Sequence, residues 1–183
     1  MINKNLLQSA IQKYYLSGRY NKVKWRIKDN TLTVYAGQSS RACKVVLNNF
    51  PLQDSELGIF DTDKLTRLLA ITSGDLMLTL QGQKELHNIL NIADPNFDLT
   101  YTLADPLIIG KVEWVNDPDS YEVELNLEKE DINHIVKAKG ALSESPNMLI
   151  TTKLDLDDIP ICEFVFGDMS GYANKITYKL QGK

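Results

Sequence analysis

Residues 61–74 read DTDKLTRLLAITSG, and this stretch decides the fold. It joins a carboxylate at the start, an apolar stripe at helical spacing and a glycine at the end, which is the pattern of a short amphipathic helix. Two further stretches share that pattern, residues 3–18 (NKNLLQSAIQKYYLSG) and residues 128–140 (EKEDINHIVKAKG). Strand-like segments follow each of the three. The chain therefore repeats one supersecondary unit three times, and such a repeat usually determines the fold.

The second and third copies superpose at an offset of 67 residues. Leu65, Leu68 and Leu69 then fall on a second apolar trio, formed by Ile132, Ile135 and Val136. Because both trios recur at helical spacing, we expect both to face a core. The first copy carries a comparable inward stripe made of Leu6, Leu7, Ala10, Ile11 and Tyr14. We expect its helix to end at Ser17-Gly18, because glycine readily adopts the left-handed conformation that ends helices.

Residues 22–28 (KVKWRIK) alternate between cations and apolar side chains. This period of two predicts a strand with Val23, Trp25 and Ile27 on its buried face. Asp29-Asn30 then predicts a hairpin turn. The remaining predicted strands are residues 31–36, 42–47, 56–60, 76–80, 89–92, 98–102, 121–127, 148–153, 161–166 and 175–180.

Each unit thus approximates a βαβββ order. We predict an α+β fold in which antiparallel sheets carry all helices on one face. Residues 1–103 hold two units and are predicted to form domain one, and residues 104–119 an interdomain connector that is partly apolar. Residues 120–183 would form only the first half of domain two, because a fourth unit is apparently lacking.

Composition and charge restrict the possible functions. The 183 residues are 43% hydrophobic and 24% charged, which is typical of a soluble globular protein. No stretch approaches the roughly 18 to 20 apolar residues that span a bilayer, and no signal directs export, so we expect no membrane partner. The formal net charge is −4, yet residues 1–28 hold seven basic groups and no acidic group. That asymmetry indicates either a polyanion-facing surface or a solvated basic face.

Signatures of catalysis are absent from the sequence. The two histidines lie in different units without ligand spacing, and no nucleotide-binding, nucleophile-elbow or zinc-protease motif occurs. The carboxylates of Asp61, Asp63, Glu130 and Asp131 fall at predicted helix starts, where carboxylates cap helices. We therefore predict a protein that is not an enzyme, without catalytic residues, metal site or cofactor.

The repeated unit resembles that of DNA sliding clamps, and more narrowly the clamp of T4-like bacteriophages. Residues 56–80 (ELGIFDTDKLTRLLAITSGDLMLTL) are similar to that family's second unit, and residues 90–106 (LNIADPNFDLTYTLADP) to the end of its first domain. Residues 128–142 (EKEDINHIVKAKGAL) resemble the helix of its second domain. The resemblance covers nearly the whole chain but includes no diagnostic motif.

The resemblance implies a ring that encircles duplex DNA and tethers the replicative DNA polymerase. Family subunits contain four units and form closed trimers, so the implied partners are duplex DNA, the polymerase, a clamp loader and further copies of the chain. The implied location is the cytoplasm of an infected bacterial host. The DNA-facing residues would be Lys4, Lys13, Lys64, Arg67, His134 and Lys137. Partner peptides would dock on Leu107, Ile108, Ile109 and Trp114, although these residues could also simply pack against their own sheet.

One alternative is a structural or scaffold protein, which the absence of a catalytic site leaves open. The other is a non-ring module that binds single-stranded nucleic acid. In that hypothesis residues 22–28 supply the cations, and Tyr20, Trp25 and Tyr35 stack on the bases. The alternation within residues 22–28 speaks against it, because it places Trp25 on the face opposite the cations.

Overall fold

The computed structural model describes residues 1–38, 41–83, 86–110, 112, 119–120, 124–145, 147–154, 160–167 and 174–181. The chain divides into two compact units, Met1–Asp117 and Pro118–Lys183. Within the described ranges it forms three α-helices and eleven β-strands.

The first unit contains two βαβββ repeats in succession, as predicted. The first repeat comprises β1 (Ile2–Asn3), α1 (Lys4–Tyr15), β2 (Val23–Lys28), β3 (Thr31–Gln38) and β4 (Arg41–Asn48). The second comprises β5 (Ser55–Ile59), α2 (Thr62–Ala70), β6 (Asp75–Gln83), β7 (Leu86–Ala93) and β8 (Asp98–Thr102). The strands form two antiparallel sheets with the orders β1-β6-β7-β8 and β4-β3-β2-β5.

The two repeats exchange their first strands. β1 pairs with β6 of the second repeat, and β5 pairs with β2 of the first. Each sheet is therefore completed by the first strand of the other repeat. β1 has only two residues, too few for an alternation to reveal it in the sequence.

Gly58 joins the edges of the two sheets. The Ala104 N–H donates to the Gly58 carbonyl oxygen at 2.9 Å, forming an isolated antiparallel bridge beyond the end of β8. A Cβ on Gly58 would lie 2.9 Å from the Ala104 carbonyl carbon and closer still to its oxygen. Only glycine therefore lets the two backbones approach this closely.

One hydrophobic core lies beneath both helices of the first unit. Leu7, Ala10, Ile11 and Tyr14 of α1 are buried, as predicted, and so are Leu65 and Leu69 of α2. Leu6 was expected to face inward but is half-exposed. At 100° per residue it lies at the margin of the stripe, where α1 turns toward solvent.

The two helices run antiparallel. The Tyr15 hydroxyl, at the C-terminal end of α1, donates to Asp63 Oδ1 in the first turn of α2 at 3.2 Å. At the opposite end, Lys4 Nζ donates to the carbonyl oxygens of Ala70, at 3.1 Å, and Thr72. The N-terminus of each helix thus lies beside the C-terminus of the other.

Two turn predictions have different outcomes. Asp29 and Asn30 both have positive φ, at 50° and 56°, which is the geometry of the predicted tight hairpin. The end of α1 comes earlier than predicted, because Leu16 already adopts the left-handed conformation at the C-cap, with φ 46°. The following Ser17 and Gly18 keep a positive φ.

The second unit contains α3 (Lys129–Ala141), β9 (Met148–Leu154), β10 (Pro160–Gly167) and β11 (Lys175–Gln181), and its sheet order is β11-β10-β9. A strand was predicted at residues 121–127. This is wrong for residues 124–127, which form no strand, whereas residues 121–123 lie outside the described residues. β5 holds the same place before α2 and forms because β2 pairs with it; the described part of this unit supplies no such neighbour.

α3 is rotated about its own axis relative to the prediction, so a different face points inward. Its inward contacts come from Ile135, Ala138 and the following Leu142, which pack with Phe164 and Phe166 of β10. Ile132 and Val136 were expected to be inward, and this is wrong because they are 48% and 62% exposed. Since Ile135 points inward, Val136 is rotated away by about 100°.

Candidate nucleic-acid and peptide-binding sites

The helix surface that points away from the sheets of the first unit is polar and weakly cationic. Lys13 on α1 and Lys64 and Arg67 on α2 are exposed there. Arg67 forms an ion pair with Asp63 one turn earlier. Lys13 and Lys64 form no side-chain ion pair with another described residue. The surface therefore carries two cations without an ion pair, Lys13 and Lys64, and one ion pair between Arg67 and Asp63.

Lys4 has a different position from the one expected of a DNA-facing residue. Its ammonium group donates to the Ala70 and Thr72 carbonyls at the end of α2. Those carbonyls form the negative end of the helix dipole, which favours a cation. Lys4 therefore stabilises the packing of α1 against α2 and is not a free surface cation.

His134 and Lys137 are both exposed on α3, but their surroundings differ from those of Lys13 and Lys64. His134 packs on Tyr178, with ring centroids 5.5 Å apart. It also lines a cavity of about 550 Å³ with carboxylates of Glu124, Glu128, Glu130 and Asp131. The Tyr178 hydroxyl donates to Asp131 Oδ1 at 2.7 Å, and this bond raises the pKa of Tyr178. The surroundings of His134 are therefore acidic, and an acidic cavity repels phosphate, which does not favour the DNA-facing role that the sequence predicted for it.

The connector begins with a capped 3-10 turn, Pro106–Ile108. Asp105 Oδ1 accepts from the Leu107 N–H at 2.8 Å and so fixes the turn. Leu107 is 86% exposed and Ile108 is 65% exposed, whereas Ile109 is buried. Ile109 lines a small cavity together with Val23 and Tyr35, so it packs against the first unit while Leu107 and Ile108 stay accessible. Trp114, the fourth predicted peptide-binding residue, lies outside the described residues.

Leu107 and Ile108 line two different cavities. Ile108 borders a mainly apolar one of about 350 Å³, together with Phe60, Tyr101 and Leu103. The Tyr101 hydroxyl accepts from the Asp61 N–H at 3.1 Å and donates to the Asp61 carbonyl at 3.0 Å, which holds the start of α2 against this cavity.

Leu107 borders a polar cavity of about 610 Å³ whose lining includes Asp54, Glu56, His87 and Asp105. Nothing in the sequence linked Phe60 or Tyr101 to the connector.

Three of the four cations of residues 22–28 contact neighbouring side chains. Lys24 Nζ lies 3.4 Å from Glu56 Oε1, and Arg26 Nε lies 3.9 Å from Glu56 Oε2. Lys22 Nζ lies 3.9 Å above the centre of the Phe60 ring. Trp25 is fully buried, so it offers no face to a base. These contacts remove the main support for the alternative of single-stranded nucleic-acid binding.

Within the described ranges, no group of three or more His, Cys, Asp or Glu side chains is placed to hold a metal ion. Among the same residues, no helix has the length and apolar character required to cross a membrane.

Solved structures similar to this chain are sliding clamps. The Helicobacter pylori beta clamp bound to a DNA ligase peptide aligns with 98% of this chain and 55% of its own, at a TM-score of 0.57 and 14% identity. A. fulgidus PCNA, bound to the C-terminal region of FEN-1, aligns with 98% of this chain and 70% of its own, at a TM-score of 0.66 and 14% identity. The DnaN sliding clamp of Bartonella birtlesii, a DNA polymerase III subunit beta, aligns with 99% of this chain and 48% of its own, at a TM-score of 0.61 and 7% identity.

The chain therefore has the DNA clamp fold, with antiparallel sheets and few helices, as the sequence predicted. It spans about half the length of the bacterial clamps that it matches. No protein-family model matches its sequence, and no curated protein matches it either.

Proposed function

We propose that this chain is a subunit of a sliding clamp that encircles duplex DNA and tethers a replicative DNA polymerase. The observation that carries the proposal is the antiparallel pair α1 and α2, which exposes a polar surface with few unpaired cations. A ring is retained topologically and needs little binding energy. Because each neutralised phosphate adds salt dependence, few contacts favour sliding over gripping.

The finer parts of the proposal rest on the sequence resemblance to T4-like phage clamps. They comprise a phage polymerase and clamp loader as partners, and the cytoplasm of an infected bacterium as the location. The resemblance also implies a ring of three subunits. Within that ring Lys13, Lys64, Arg67 and Lys137 are proposed to face DNA, with a smaller contribution from His134.

Retention on DNA should depend on topology. The protein is loaded onto a nicked circular duplex by the cognate clamp loader, freed of unbound protein by gel filtration, and measured again after a restriction enzyme has linearised the circle. We expect protein to stay on the circle and to leave the linear form, because only a ring can run off an end. Equal retention on both forms, or a preference for single strands, would refute the proposal.

Charge reversal tests whether the helices or the sheets lie beside DNA. We expect Lys13→Glu/Lys64→Glu to reduce the amount of protein loaded onto the circle by about fivefold to tenfold, since it changes the charge beside DNA by four negative units. Lys28→Glu/Lys44→Glu changes the charge equally on exposed positions of β2 and β4 and should leave loading within twofold. The opposite ranking would mean that the sheets face DNA.

We further propose that short partner peptides dock at the connector, with Ile108 and Phe60 as the apolar contacts. Leu107 and Ile108 are exposed there although both are large and apolar. The cavity beside Ile108 is apolar enough to receive a hydrophobic anchor, which is how peptides commonly bind grooves. Two of the three solved clamps above are bound to a ligase peptide and to a FEN-1 segment, which is consistent with such a role for the fold.

Ile108→Asp should raise the dissociation constant of a labelled C-terminal peptide from the cognate polymerase by about tenfold, because it places a charge in the apolar cavity. Fluorescence anisotropy measures this. Leu6→Asp, which alters an exposed leucine on α1, is the control and should bind normally. If Ile108→Asp binds as well as the unmodified protein, the peptide site lies elsewhere.

A further inference from the structure

We propose that the partner peptide at the connector is anionic, and that a carboxylate close to its apolar anchor binds the ammonium group of Lys22. This inference rests on the docking of partner peptides beside Ile108 that is proposed above, and it adds the chemistry of the peptide. The carboxylate can come from two sources, the C-terminus of the peptide or an Asp or Glu side chain.

Lys22 lies beside the apolar cavity of the connector. Its Nζ is 3.9 Å from the centre of the Phe60 ring, and Phe60 lines that cavity. The residue before Lys22 is fixed to the start of α2. The Asn21 carbonyl oxygen accepts from the Thr62 N–H at 3.0 Å, and Asn21 Oδ1 accepts from the Asp63 N–H at 3.0 Å. The backbone therefore holds Lys22 close to Phe60.

The ammonium group of Lys22 is available to an anion. Lys22 is exposed and forms no ion pair with another described residue. Lys24 and Arg26 differ from it, because they lie 3.4 Å and 3.9 Å from the carboxylate of Glu56. An aromatic ring attracts a cation without neutralising its charge. Since an ammonium group has three N–H donors, donors remain for a carboxylate while the ring covers one side.

The charge around the apolar cavity favours an anionic ligand. Lys64 lines the cavity from α2, and it too has no ion pair within the part of the chain that the structure describes. Asp61 is the only carboxylate among the described lining residues, and its Oδ1 already accepts from the Lys64 N–H at 3.0 Å. Asp63 nearby pairs with Arg67. Two ammonium groups, of Lys22 and Lys64, thus outweigh one hydrogen-bonded carboxylate, which makes the site complementary to a negative charge.

The cavity on the other side of the 3-10 turn has the opposite charge. The carboxylates of Asp54 and Asp105 line it beside Leu107, and neither forms an ion pair with another described residue. Placing a further carboxylate next to them would be repulsive. The two sides of the connector therefore orient the peptide, with its anionic end at Lys22 and away from Leu107.

Fluorescence anisotropy with a labelled C-terminal peptide of the cognate polymerase tests the inference. We expect Lys22→Gln to raise the dissociation constant by about threefold to fivefold, and Lys22→Glu by about tenfold, because the first removes an ionic contact and the second makes it repulsive. Lys28→Gln and Lys28→Glu make the same charge changes at the exposed far end of β2 and should stay within about twofold. Circular dichroism verifies that all four variants fold.

Salt dependence separates an ionic contact from a structural role of Lys22. Raising the salt concentration from about 50 to about 500 mM should weaken binding to the unmodified protein, because salt screens exposed charge pairs. Binding to Lys22→Gln should depend less on salt, whereas Lys28→Gln should behave as the unmodified protein does. An equal salt dependence in all three proteins would overturn the inference.

Two altered peptides identify the source of the carboxylate. One is amidated at its C-terminus, and the other carries Asn and Gln in place of its Asp and Glu residues. We expect at least one of them to bind the unmodified protein about threefold to fivefold more weakly, and to lose nothing further on Lys22→Gln, because both changes remove the same contact. If both altered peptides bind as tightly as the original, the inference is wrong.

Ile108→Asp distinguishes failure of this inference from failure of the docking site. If Ile108→Asp weakens binding and the Lys22 variants do not, the peptide docks as proposed and only the role of Lys22 is refuted. If Ile108→Asp binds normally, or if the peptide does not bind at all, both the docking site and this inference are refuted. Retention on circular DNA is measured without the peptide and remains a separate test of the clamp.

Discussion

Replacing Trp25 by alanine should lower the free energy of unfolding by about 3 to 5 kcal/mol. Trp25 is fully buried in β2, and its ring meets the edge of Phe50 at a centroid distance of 5.9 Å. Its Nε1–H donates to the Tyr14 hydroxyl at 3.1 Å, which links the sheet to α1. Alanine removes the ring contacts and this bond together and leaves a cavity. Urea unfolding followed by circular dichroism measures the change.

A double-mutant cycle separates the hydrogen bond from the packing. Burial raises the pKa of Tyr14, so its hydroxyl stays protonated and can accept from Trp25 throughout the neutral range. Trp25→Phe and Tyr14→Phe each remove one partner, and their coupling energy should be about 1 kcal/mol. If Trp25→Ala cost less than about 1 kcal/mol, the site would have to be far less tightly packed than the burial of Trp25 indicates.

Features that depend on local periodicity could be predicted from the sequence. The alternation of residues 22–28 was sufficient to place Trp25 in the core, and the positive φ of Asp29 and Asn30 confirms the predicted turn. The repeat predicted the βαβββ order and the α+β class, and the resemblance to sliding clamps added the clamp fold. These signals succeed because each element in the first unit buries one face against a single core, and the burial shows in the residue pattern.

Features that depend on a partner element could not be predicted in this way. The apolar positions of α3 are consistent with either of two rotations, because apolar residues on this short helix fall on two adjacent faces. The choice of Ile135 over Ile132 follows from packing against Phe164 and Phe166 of β10, which lie far along the chain. The strand predicted before α3 fails at residues 124–127 for the same reason, since a strand needs a second strand to pair with.

The candidate sites were predicted only in part. Lys13, Lys64 and Arg67 are exposed where the helical pattern placed them. Lys4 is different because its partners, the carbonyls of Ala70 and Thr72, lie more than sixty residues away and carry no sequence signal. The apolar cavity beside Ile108 likewise depends on Phe60 and Tyr101, which only the folded chain brings together.

Gly58→Ala should lower the free energy of unfolding by about 3 kcal/mol. The new methyl group would overlap the Ala104 backbone, so the bridge that joins β5 to the chain beyond β8 has to open. Opening it breaks the bond from the Ala104 N–H to the Gly58 carbonyl, in a region where Leu57 and Ile59 on either side are fully buried. Since Asp105 and the 3-10 turn follow directly, the variant should also loosen the connector.

Gly110→Ala is the matched control for this prediction. A Cβ at Gly110 would meet nothing within 4 Å, so that variant should stay within about 0.5 kcal/mol of the unmodified protein. Hydrogen exchange adds a local readout, because the Ala104 amide should lose protection in Gly58→Ala and keep it in Gly110→Ala. If both glycine variants were equally stable and the Ala104 amide stayed protected, the two sheets would have to be joined by contacts other than this bridge. The position of Ile108 beside Phe60 would then no longer depend on Gly58.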